Sequence, residues 1–304
     1  MLAILARRLA TALPTLFAVV LLSFLLMRAA PGSPFDSERP LDAATRTAMD
    51  RAYGLDQPFA VQLGRYLANV AQGDFGPSLV YKDFTVTELI GQGLPVSLQL
   101  GGLALLLAML LGVSAGIAGA LRPGGWADRA TGLFASIAVA LPSFVTGPAL
   151  ALVFALWLGW LPVSGLSDPG SLVLPVVALA LPAAGAIARL TRTGLASVLL
   201  QDHIRVARAR GLSERTILLR HALPPALIPV VSYLGPAAAG LLTGAVVIET
   251  VFGLPGLGRY FVQGALNRDY PLVLGVVILY AGLILLFNLI ADLLYGWLDP
   301  RVRG

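Results

Sequence analysis

The 304-residue sequence contains no cysteine and a single lysine, Lys82. Without cysteine the chain can form neither a disulfide nor a thiolate metal site, and it has no thiol nucleophile. A Walker A motif requires a lysine directly after glycine, and Lys82 follows Tyr81, so the chain has no phosphate-binding loop of that type. The HExxH pattern of zinc hydrolases is missing as well. These absences exclude several classes of enzyme.

Charged residues are also scarce: they make up 12% of the chain, against about 25% in soluble domains. Long uncharged runs take their place, and a helix needs about 20 mostly apolar residues to cross a bilayer. Arg7 and Arg8 precede the first run, as in a signal peptide, but this run of 19 residues is longer than the usual signal core of about 7–15. We therefore predict six transmembrane helices, the first uncleaved, over residues 9–27, 97–120, 130–158, 171–188, 222–248 and 271–291.

Arginine is distributed unevenly between the two sides of the predicted bundle. Six spans place both termini on one side, and the side with more Arg and Lys in its short loops is cytoplasmic. The short loops of the other side, residues 159–170 and 249–270, carry only Arg259 and Arg268. The termini and the segment 189–220 are therefore expected in the cytoplasm. This side carries thirteen arginines, namely Arg7, Arg8, Arg122, Arg129, Arg301, Arg303 and the seven of residues 189–220.

The long segment between the first two spans, residues 28–96, is expected outside the cytoplasm. It carries eight acidic and six basic residues and opens with the turn-rich stretch PGSPFDSERP. Two short helices are predicted in it, one from Asp42 towards Ala52 and one from about Pro58, where apolar residues follow at helical spacing. The segment is a cap packed on the bundle, the interpretation we favour, or a docking surface for an external partner, and both can hold together.

Glycine and proline are frequent inside the predicted spans. Gly112 with Gly116, and Gly240 with Gly244, form GxxxG pairs, which let helices pack closely. The central parts of the spans carry no ionisable residue, unlike those of many proton- or ion-driven transporters. If the protein moves a substrate uphill, the energy is therefore expected from a partner outside the bundle. Six prolines are expected to break or kink their helices unless neighbouring groups satisfy the freed carbonyls: Pro142, Pro148, Pro175, Pro182, Pro229 and Pro236.

One span contains a nucleophile motif in an unsuitable context. GVSAG, residues 112–116, matches GxSxG, which requires a strand–turn–helix setting. Ser114 lies in the middle of a predicted span, whereas both histidines, His203 and His221, lie in the cytoplasmic segment. Packing of small residues explains the match better, and an intramembrane hydrolase is only a remote alternative.

Basic residues concentrate in one cytoplasmic segment, whose centre reads HIRVARARGLSERTILLRHALP. Residues 189–220 hold seven arginines against two acids, a net charge of +5 that equals that of the whole chain. Asp202 is predicted to cap a short helix that ends at a left-handed Gly211. Ser213 is predicted to cap a second helix, which Pro224 and Pro225 separate from the next span. We refer to residues 203–224 as the knob.

A basic helix–turn–helix can bind DNA, but both ends of the knob are tethered to spans, which leaves no room for a duplex. A membrane-tethered DNA regulator is therefore a remote alternative. Attraction to anionic lipid accounts for some of the arginines. It does not account for the glycine at the turn or for the apolar residues of the knob, Leu212, Ile217, Leu218 and Leu219. A rigid pair of helices is instead predicted to fit a cytoplasmic partner.

The knob resembles the EAA loop of ABC importer permeases, in which E-A-A is followed by three residues, glycine, nine residues and I-x-L-P. Arg205-Val206-Ala207 takes the E-A-A positions, Gly211 the glycine, and His221-Ala222-Leu223-Pro224 the last four. The stretch ARARGL is similar to the ARAKGL-like version of the peptide/nickel branch. The resemblance implies that the loop couples to an ATPase through Arg205, Ala207, Arg208, Ala209, Arg210, Gly211, Leu212, Ser213, Leu223 and Pro224.

Other stretches are similar to the same branch, and together they cover nearly the whole chain. ETVFGLPGLGRYFVQGALNRDYPLV begins at Glu249, and NLIADLLYGWLDPRVR extends from Asn288 to Arg303. In the external segment PGSPFDSERP, YGLDQP, QGDFGPS and YKDFTVTELI resemble the first, B-type, membrane subunit of oligopeptide importers. The resemblance implies an all-α, polytopic protein of the type I ABC importer permease fold, with six transmembrane helices and cytoplasmic termini.

The resemblance also implies a domain division. Residues 1–28 would hold the first helix, 29–96 the extracytoplasmic segment, 97–296 the permease core with its coupling loop 189–225, and 297–304 a cytoplasmic tail. The function implied is that of a permease subunit without enzymatic activity, in the inner membrane of a bacterium, which forms half of a pathway for oligopeptides. Dipeptide, glutathione, nickel or sugar are the alternative cargoes.

The implied partners are a homologous second permease, two ATPase subunits that bind ATP and Mg²⁺, an extracytoplasmic solute-binding protein and the lipid bilayer. The chain itself is expected to bind no cofactor, metal or nucleic acid.

Overall fold

The structure is a computed structural model, which describes residues 2–29 and 56–298 except 82, 167 and 169. These residues are mostly helical and show no strand beyond one isolated bridge between Pro77 and Thr85. The helices are α1 (Leu2–Ala29), α2 (Phe59–Ala71), α3 (Val86–Leu121), α4 (Trp126–Ala140), α5 (Ser143–Leu150, continued by a π-helix Ala151–Trp157), α6 (Val173–Leu199), α7 (Asp202–Ala209), α8 (Glu214–Thr216, continued by a π-helix Ile217–Ala222 and the turn Leu223–Ala226), α9 (Ile228–Val251), α10 (Leu257–Leu266) and α11 (Tyr270–Leu298).

Five of these helices, α1, α3, α6, α9 and α11, are long and apolar enough to span a bilayer. The remaining predicted span, residues 130–158, is a bent pair: α4 and α5 pass the same test together but meet at an angle of 102°. Leu141 at the bend is extended, with φ −90° and ψ 114°, because Pro142 excludes the helical region for the residue before it. The described part of the chain therefore contains six candidate spans if the bent pair is counted as one, and the third is not a straight helix.

The six prolines have different effects. Pro142 marks the break between α4 and α5. Pro175 and Pro229 lie in the first turns of α6 and α9, where the missing N–H has no intrahelical partner to lose. Pro182 and Pro236 lie inside these two helices, which continue past them. Pro148 lies inside α5, shortly before the π-helix. The predicted interruption is thus confirmed at Pro142.

Several helices extend beyond the apolar runs that predicted them. α3 starts at Val86 because Thr85 and Glu88 form a capping box: Thr85 Oγ1 accepts from Glu88 N at 3.2 Å, and Thr85 N donates to Glu88 Oε2 at 2.8 Å. The external segment predicted to reach residue 96 therefore gives way to helix at residue 86. At the other end of the bundle, α6 continues to Leu199 and so reaches the knob.

The core of the bundle lies where α3 packs against α6. A Cβ atom at Gly112 would lie 2.7 Å from the carbonyl oxygen of Ala184, and one at Gly116 would lie 2.8 Å from that of Ala188. Only glycine permits this approach, so the close packing predicted for the first GxxxG pair is confirmed.

The second GxxxG pair behaves differently. Nothing lies within 4 Å of a Cβ at Gly240, and at Gly244 only Leu179 does, at 3.2 Å. The predicted close approach of a neighbouring helix at Gly240 is therefore wrong within this chain, because Gly240 lies on an exposed face of α9. α9 instead packs against α11 at Gly235, where a Cβ would lie 2.9 Å from Asn288.

α1 and α2 lie at the periphery of the bundle. Arg8 Nε pairs with Asp292 Oδ2 of α11 at 2.7 Å. The helix predicted near Pro58 is confirmed as α2, which contacts α1 through Phe24, whose ring centroid is 5.3 Å from that of Phe59. No residue of α2 is buried. The helix predicted from Asp42 lies outside the described residues.

Candidate functional site

The knob turns at Gly211, which has φ +79°. Its N–H donates to Arg208 O at 2.9 Å, and the N–H of Leu212 donates to Ala207 O at 3.3 Å. These two bonds form a Schellman motif, which satisfies the last carbonyls of a helix and requires a left-handed residue at the turn. The prediction that Gly211 ends the first helix in the left-handed region is confirmed.

The predicted caps of the two knob helices have different outcomes. Asp202 is not an N-cap: Gln201 occupies that position, and Asp202 is the first residue of α7. Its carboxylate lies 3.3 Å from Arg205 Nη1, and as an acid in the first turn it complements the positive end of the helix. Ser213 is the N-cap of α8, as predicted, and its Oγ accepts from Thr216 N at 3.3 Å.

An ion pair that the sequence did not reveal ties the two knob helices together across Gly211. Arg208 Nε and Nη2 donate to Glu214 Oε1 and Oε2 at 2.8 and 3.2 Å, a bidentate arrangement. These hydrogen bonds raise the pKa of Arg208 and lower the pKa of Glu214. The six-residue spacing is not a helical one, so only the known turn geometry could have indicated the pair.

The inner face of the knob is apolar and packs on the ends of α3 and α6. Ile204 and Ile217 are fully buried, and burial of one such side chain contributes about 1.5–3 kcal/mol. The knob is therefore seated firmly on the bundle. The cluster that seats it comprises Ala120, Leu195, Val198, Ile204, Ala207, Ile217, Ala222 and Ala226.

The outer face of the knob mixes arginine with exposed apolar side chains. Val206, Leu212 and Leu219 are 51%, 39% and 49% exposed. Charge alone would suffice for contact with lipid headgroups, whereas apolar residues interspersed with arginine are typical of the centre of a protein interface. Of the other apolar residues that motivated the partner prediction, Ile217 is buried and Leu218 packs against the inner cluster.

The ten residues assigned to the coupling loop lie together on the knob. Ala207 is buried and Leu223 is half-buried. The remaining eight are exposed: Arg205, Arg208, Ala209, Arg210, Gly211, Leu212, Ser213 and Pro224.

Arg192, one of the seven clustered arginines, has a structural partner. Its Nε pairs with Asp128 Oδ1 in the first turn of α4, and Asp128 Oδ2 accepts from Gly124 N at 2.8 Å. Asp128 is buried. The pair joins the α3–α4 turn to α6, the two regions of the bundle on which the knob packs. At least one of the seven arginines therefore has a structural role.

The remaining motif candidates lie apart from one another. The hydroxyl of Ser114 donates to the carbonyl of Leu110 in its own helix, whereas His203 and His221 are exposed on the knob. Among the described residues no group of three or more His, Cys, Asp or Glu side chains could hold a metal ion. The arrangement offers no support for the hydrolase alternative.

Comparison with known proteins agrees with this geometry. The profile of the family described as "Binding-protein-dependent transport system inner membrane component" matches residues 108–304. The chain is 48% identical over 305 residues to the oligopeptide transport system permease protein OppB of Haemophilus influenzae and 49% identical over 306 residues to OppB of Salmonella typhimurium, with 100% of both chains covered in each case. It is 39% identical over 289 residues to the dipeptide transport system permease protein DppB of Bacillus subtilis, which covers 95% of this chain and 94% of the relative.

Among solved structures, one of inward-facing conformations of the MetNI methionine ABC transporter superposes with a TM-score of 0.58 at 20% identity. It covers 69% of this chain and 96% of that chain. A crystal structure of an amino acid ABC transporter with histidines gives a TM-score of 0.53 at 19% identity, covering 69% and 94%. At such identities the likeness concerns the fold, and it confirms the predicted type I ABC importer permease fold.

Proposed function

Because the chain belongs to the family of binding-protein-dependent transport system inner membrane components, we propose that it is the B-type permease subunit of an ATP-driven oligopeptide importer. Oligopeptide permeases that match its whole length at 48–49% identity support this cargo. It is a multi-pass protein of the bacterial inner membrane. With a homologous second permease it would enclose one pathway for peptides.

The observation that carries the proposal is the geometry of the knob. Two helices meet at a left-handed glycine, their inner face is packed on α3 and α6, and their outer face is basic and apolar. A flexible loop would deform when a partner displaced it. A knob that is packed on the bundle would instead transmit the displacement to α6 and α9, the helices that it joins. This is the shape that a coupling element between a cytoplasmic motor and a membrane bundle requires.

In this proposal two ATPase subunits bind the knobs of the two permeases, and ATP and Mg²⁺ are bound by those subunits. ATP binding closes the ATPase pair and displaces each knob. The bundle changes conformation at the bend between α4 and α5, so that the pathway opens to one side at a time. A solute-binding protein delivers the peptide from outside, and the permease itself performs no chemistry.

Reconstitution of the four-subunit transporter with its binding protein tests this function. We expect the peptide-loaded binding protein to stimulate ATP hydrolysis and labelled peptides to accumulate inside vesicles. Dipeptides and longer peptides are compared in parallel, because the similarity to DppB makes dipeptide the alternative cargo. Uptake of dipeptides alone would replace oligopeptide by dipeptide, and no peptide-stimulated hydrolysis would contradict the proposal.

The proposed orientation places the knob and both termini in the cytoplasm, and cysteine labelling can check it because the chain has no cysteine. Ser164 and Ser213 are both exposed and lie towards opposite ends of the bundle. A membrane-impermeant thiol reagent should label Ser164→Cys in intact cells and leave Ser213→Cys unlabelled. The opposite pattern would invert the topology and place the knob out of reach of ATP.

A further inference from the structure

A buried carboxylate joins three helices at the end of the bundle opposite the knob, which we call the far end. Glu249 lies near the end of α9 and is 0% exposed. Its Oε1 accepts from Ser97 Oγ of α3 at 2.6 Å, and its Oε2 accepts from Gly258 N of α10 at 2.7 Å. Ser97 Oγ in turn accepts from Leu257 N at 2.9 Å. We call Glu249, Ser97 and the first N–H groups of α10 the clasp.

The clasp supplies the N-terminal cap that α10 lacks. Gly256, at the N-cap position, has no side chain to accept the free N–H groups of the first turn, and such groups are costly when buried. Ser97 takes the N–H of Leu257, and Glu249 takes those of Gly258 and Arg259. The positive end of α10 in turn favours a carboxylate there. Both carboxylate oxygens of Glu249 therefore accept hydrogen bonds, and these bonds join α9 to α10 and α3.

Steric fit makes this contact specific. A Cβ atom on Gly258 would lie 2.8 Å from Glu249 Oε2 and 3.0 Å from Val246 Cβ of α9. One on Gly93 of α3 would lie 3.0 Å from Leu257 N. The three helices therefore approach so closely that glycine is required on both sides of the clasp.

A second buried carboxylate holds the other end of α10. Asp269 is 0% exposed. It accepts from Ser78 Oγ, from Val80 N at 3.2 Å and from Leu272 N of α11 at 3.2 Å. Tyr81 pairs with Gln263 in the middle of α10. α10, Asp269 and residues 78–81 are therefore joined into one unit, which we call the far-end plate.

Along the chain, α9 runs from the knob to the far-end plate. α9 follows the turn Leu223–Ala226, where Ala226 belongs to the cluster that seats the knob, and ends two residues after Glu249. Its 24 residues correspond to about 36 Å. The clasp fixes the C-terminal end of α9, and the knob lies just before its N-terminal end in the chain.

We propose that the Glu249 clasp makes α9 and the far-end plate move as one body, so that displacement of the knob by the ATPases is transmitted to the surface that faces the binding protein, and the reverse. Glu249 is in this sense a positioning residue, since it acts through α10. The inference rests on the proposed function. Charge-assisted hydrogen bonds fix direction as well as distance, which sliding apolar contacts between helices would not.

The test compares Glu249→Gln and Ser97→Ala in the complete reconstituted transporter, with Thr250→Val as matched control. Thr250 is the next residue of α9 and is exposed, and its hydroxyl donates to Val246 O of its own helix at 2.8 Å. Basal ATP hydrolysis should stay within about two-fold of wild type, whereas stimulation by the loaded binding protein should fall about ten-fold, because a buried partner is left unpaired. Thr250→Val should behave as wild type.

Two results would overturn the inference: unchanged stimulation in both clasp variants, or an equal fall of basal and stimulated hydrolysis in both, which would indicate a role in stability alone. Should Glu249→Gln fail to assemble, Ser97→Ala decides, because it keeps the bond between Glu249 and Gly258. If wild type shows no stimulation, the proposed function fails instead, so the two failures are distinguishable.

A probe on the far-end plate adds a readout that mere stabilisation would not alter. Asn267 is exposed at the end of α10, and a fluorophore on Asn267→Cys can be placed uniquely within this chain. ATP added to the transporter should change its signal in the wild-type background and leave it unchanged with Ser97→Ala. The same ATP response in both backgrounds, or none in either, would contradict transmission through the clasp.

Discussion

The knob and the far end of α9 are built around the same backbone turn and differ in what surrounds it. Gly211 and Gly253 both have positive φ, +79° and +62°. After α9 the N–H of Leu254 donates to Glu249 O at 2.8 Å, which repeats the bond between Leu212 and Ala207. Arg210 and Leu212, on either side of Gly211, are exposed, whereas Phe252 and Leu254, on either side of Gly253, are fully buried. The turn at Gly211 is therefore part of an exposed surface, whereas the turn at Gly253 is flanked by residues of the core.

The acids at the two ends differ in the same way. Glu214 is exposed and tightens the knob by an ion pair in water, and such pairs contribute little to stability. Glu249 is fully enclosed and satisfies the N–H groups of a helix terminus, so removal of one partner leaves an uncompensated buried group. Steric and hydrogen-bonding changes should therefore have large effects at the far end, and changes of charge should have small effects at the knob.

The largest effect is expected for Gly258→Ala. Its added methyl group meets the backbone of α9 and the Glu249 carboxylate, and overpacking of this kind costs about 1–3 kcal/mol. The variant should lose its monodisperse state in detergent at a lower temperature than wild type and should show weaker stimulation by the binding protein. Gly91→Ala is the control, because Gly91 in the same region of α3 has nothing within 4 Å of its Cβ. Equal midpoints for both variants would remove the steric argument for the clasp.

Gly211→Val is expected to have the next largest effect. A side chain in the left-handed region costs about 1–2 kcal/mol, a factor of about 5–30 in an equilibrium, and its bulk would also lie on the surface proposed to bind the ATPase. Uptake should fall while insertion into the membrane stays normal, since no span is altered.

Gly211→Asn is the matched control, because asparagine tolerates this conformation better, and it should retain more uptake than Gly211→Val. Arg205→Ala, which removes only an exposed pair with Asp202, should also do less than Gly211→Val. If Arg205→Ala abolished uptake while Gly211→Val transported normally, the knob would act through its charge and not through its shape.

The smallest effect is expected for Glu214→Gln. The hydrogen bonds from Arg208 lower the pKa of Glu214, so any contribution of the pair is complete above the ordinary glutamate range and is lost only as pH falls through the lowered value. Uptake should therefore show no dependence on this pair between about pH 5 and 8, and the variant should stay within about two-fold of wild type. The measurement is the pH profile of uptake for wild type and for Glu214→Gln. If the two profiles differ between about pH 5 and 8, the ion pair contributes more to coupling than its exposure indicates.

Local signals in the sequence predicted the knob well. The left-handed Gly211 and the Ser213 cap follow from residue type and spacing, and the spans follow from length and apolarity. The bend at Leu141 was foreshadowed by Pro142, but its angle depends on how α5 packs. The predicted N-cap, Asp202, lies one residue after the observed N-cap, Gln201.

The clasp could not be predicted in this way. Ser97 and Glu249 are 152 residues apart, and each alone resembles an ordinary polar residue at the end of a span. Only the packing of α3, α9 and α10 places them together. The failure at Gly240 has the same origin, since a GxxxG pattern indicates that close packing is possible and does not indicate what packs there.

The length of α9 is set by what it connects. Each residue of an α-helix turns the chain by about 100° and advances it by about 1.5 Å. A single residue inserted between the knob and Glu249 would therefore rotate the carboxylate about 100° away from Ser97 and Gly258, even if every contact of the knob were kept. The number of residues in α9 therefore sets the rotational position of Glu249 relative to the knob, and α9 should tolerate insertions and deletions poorly.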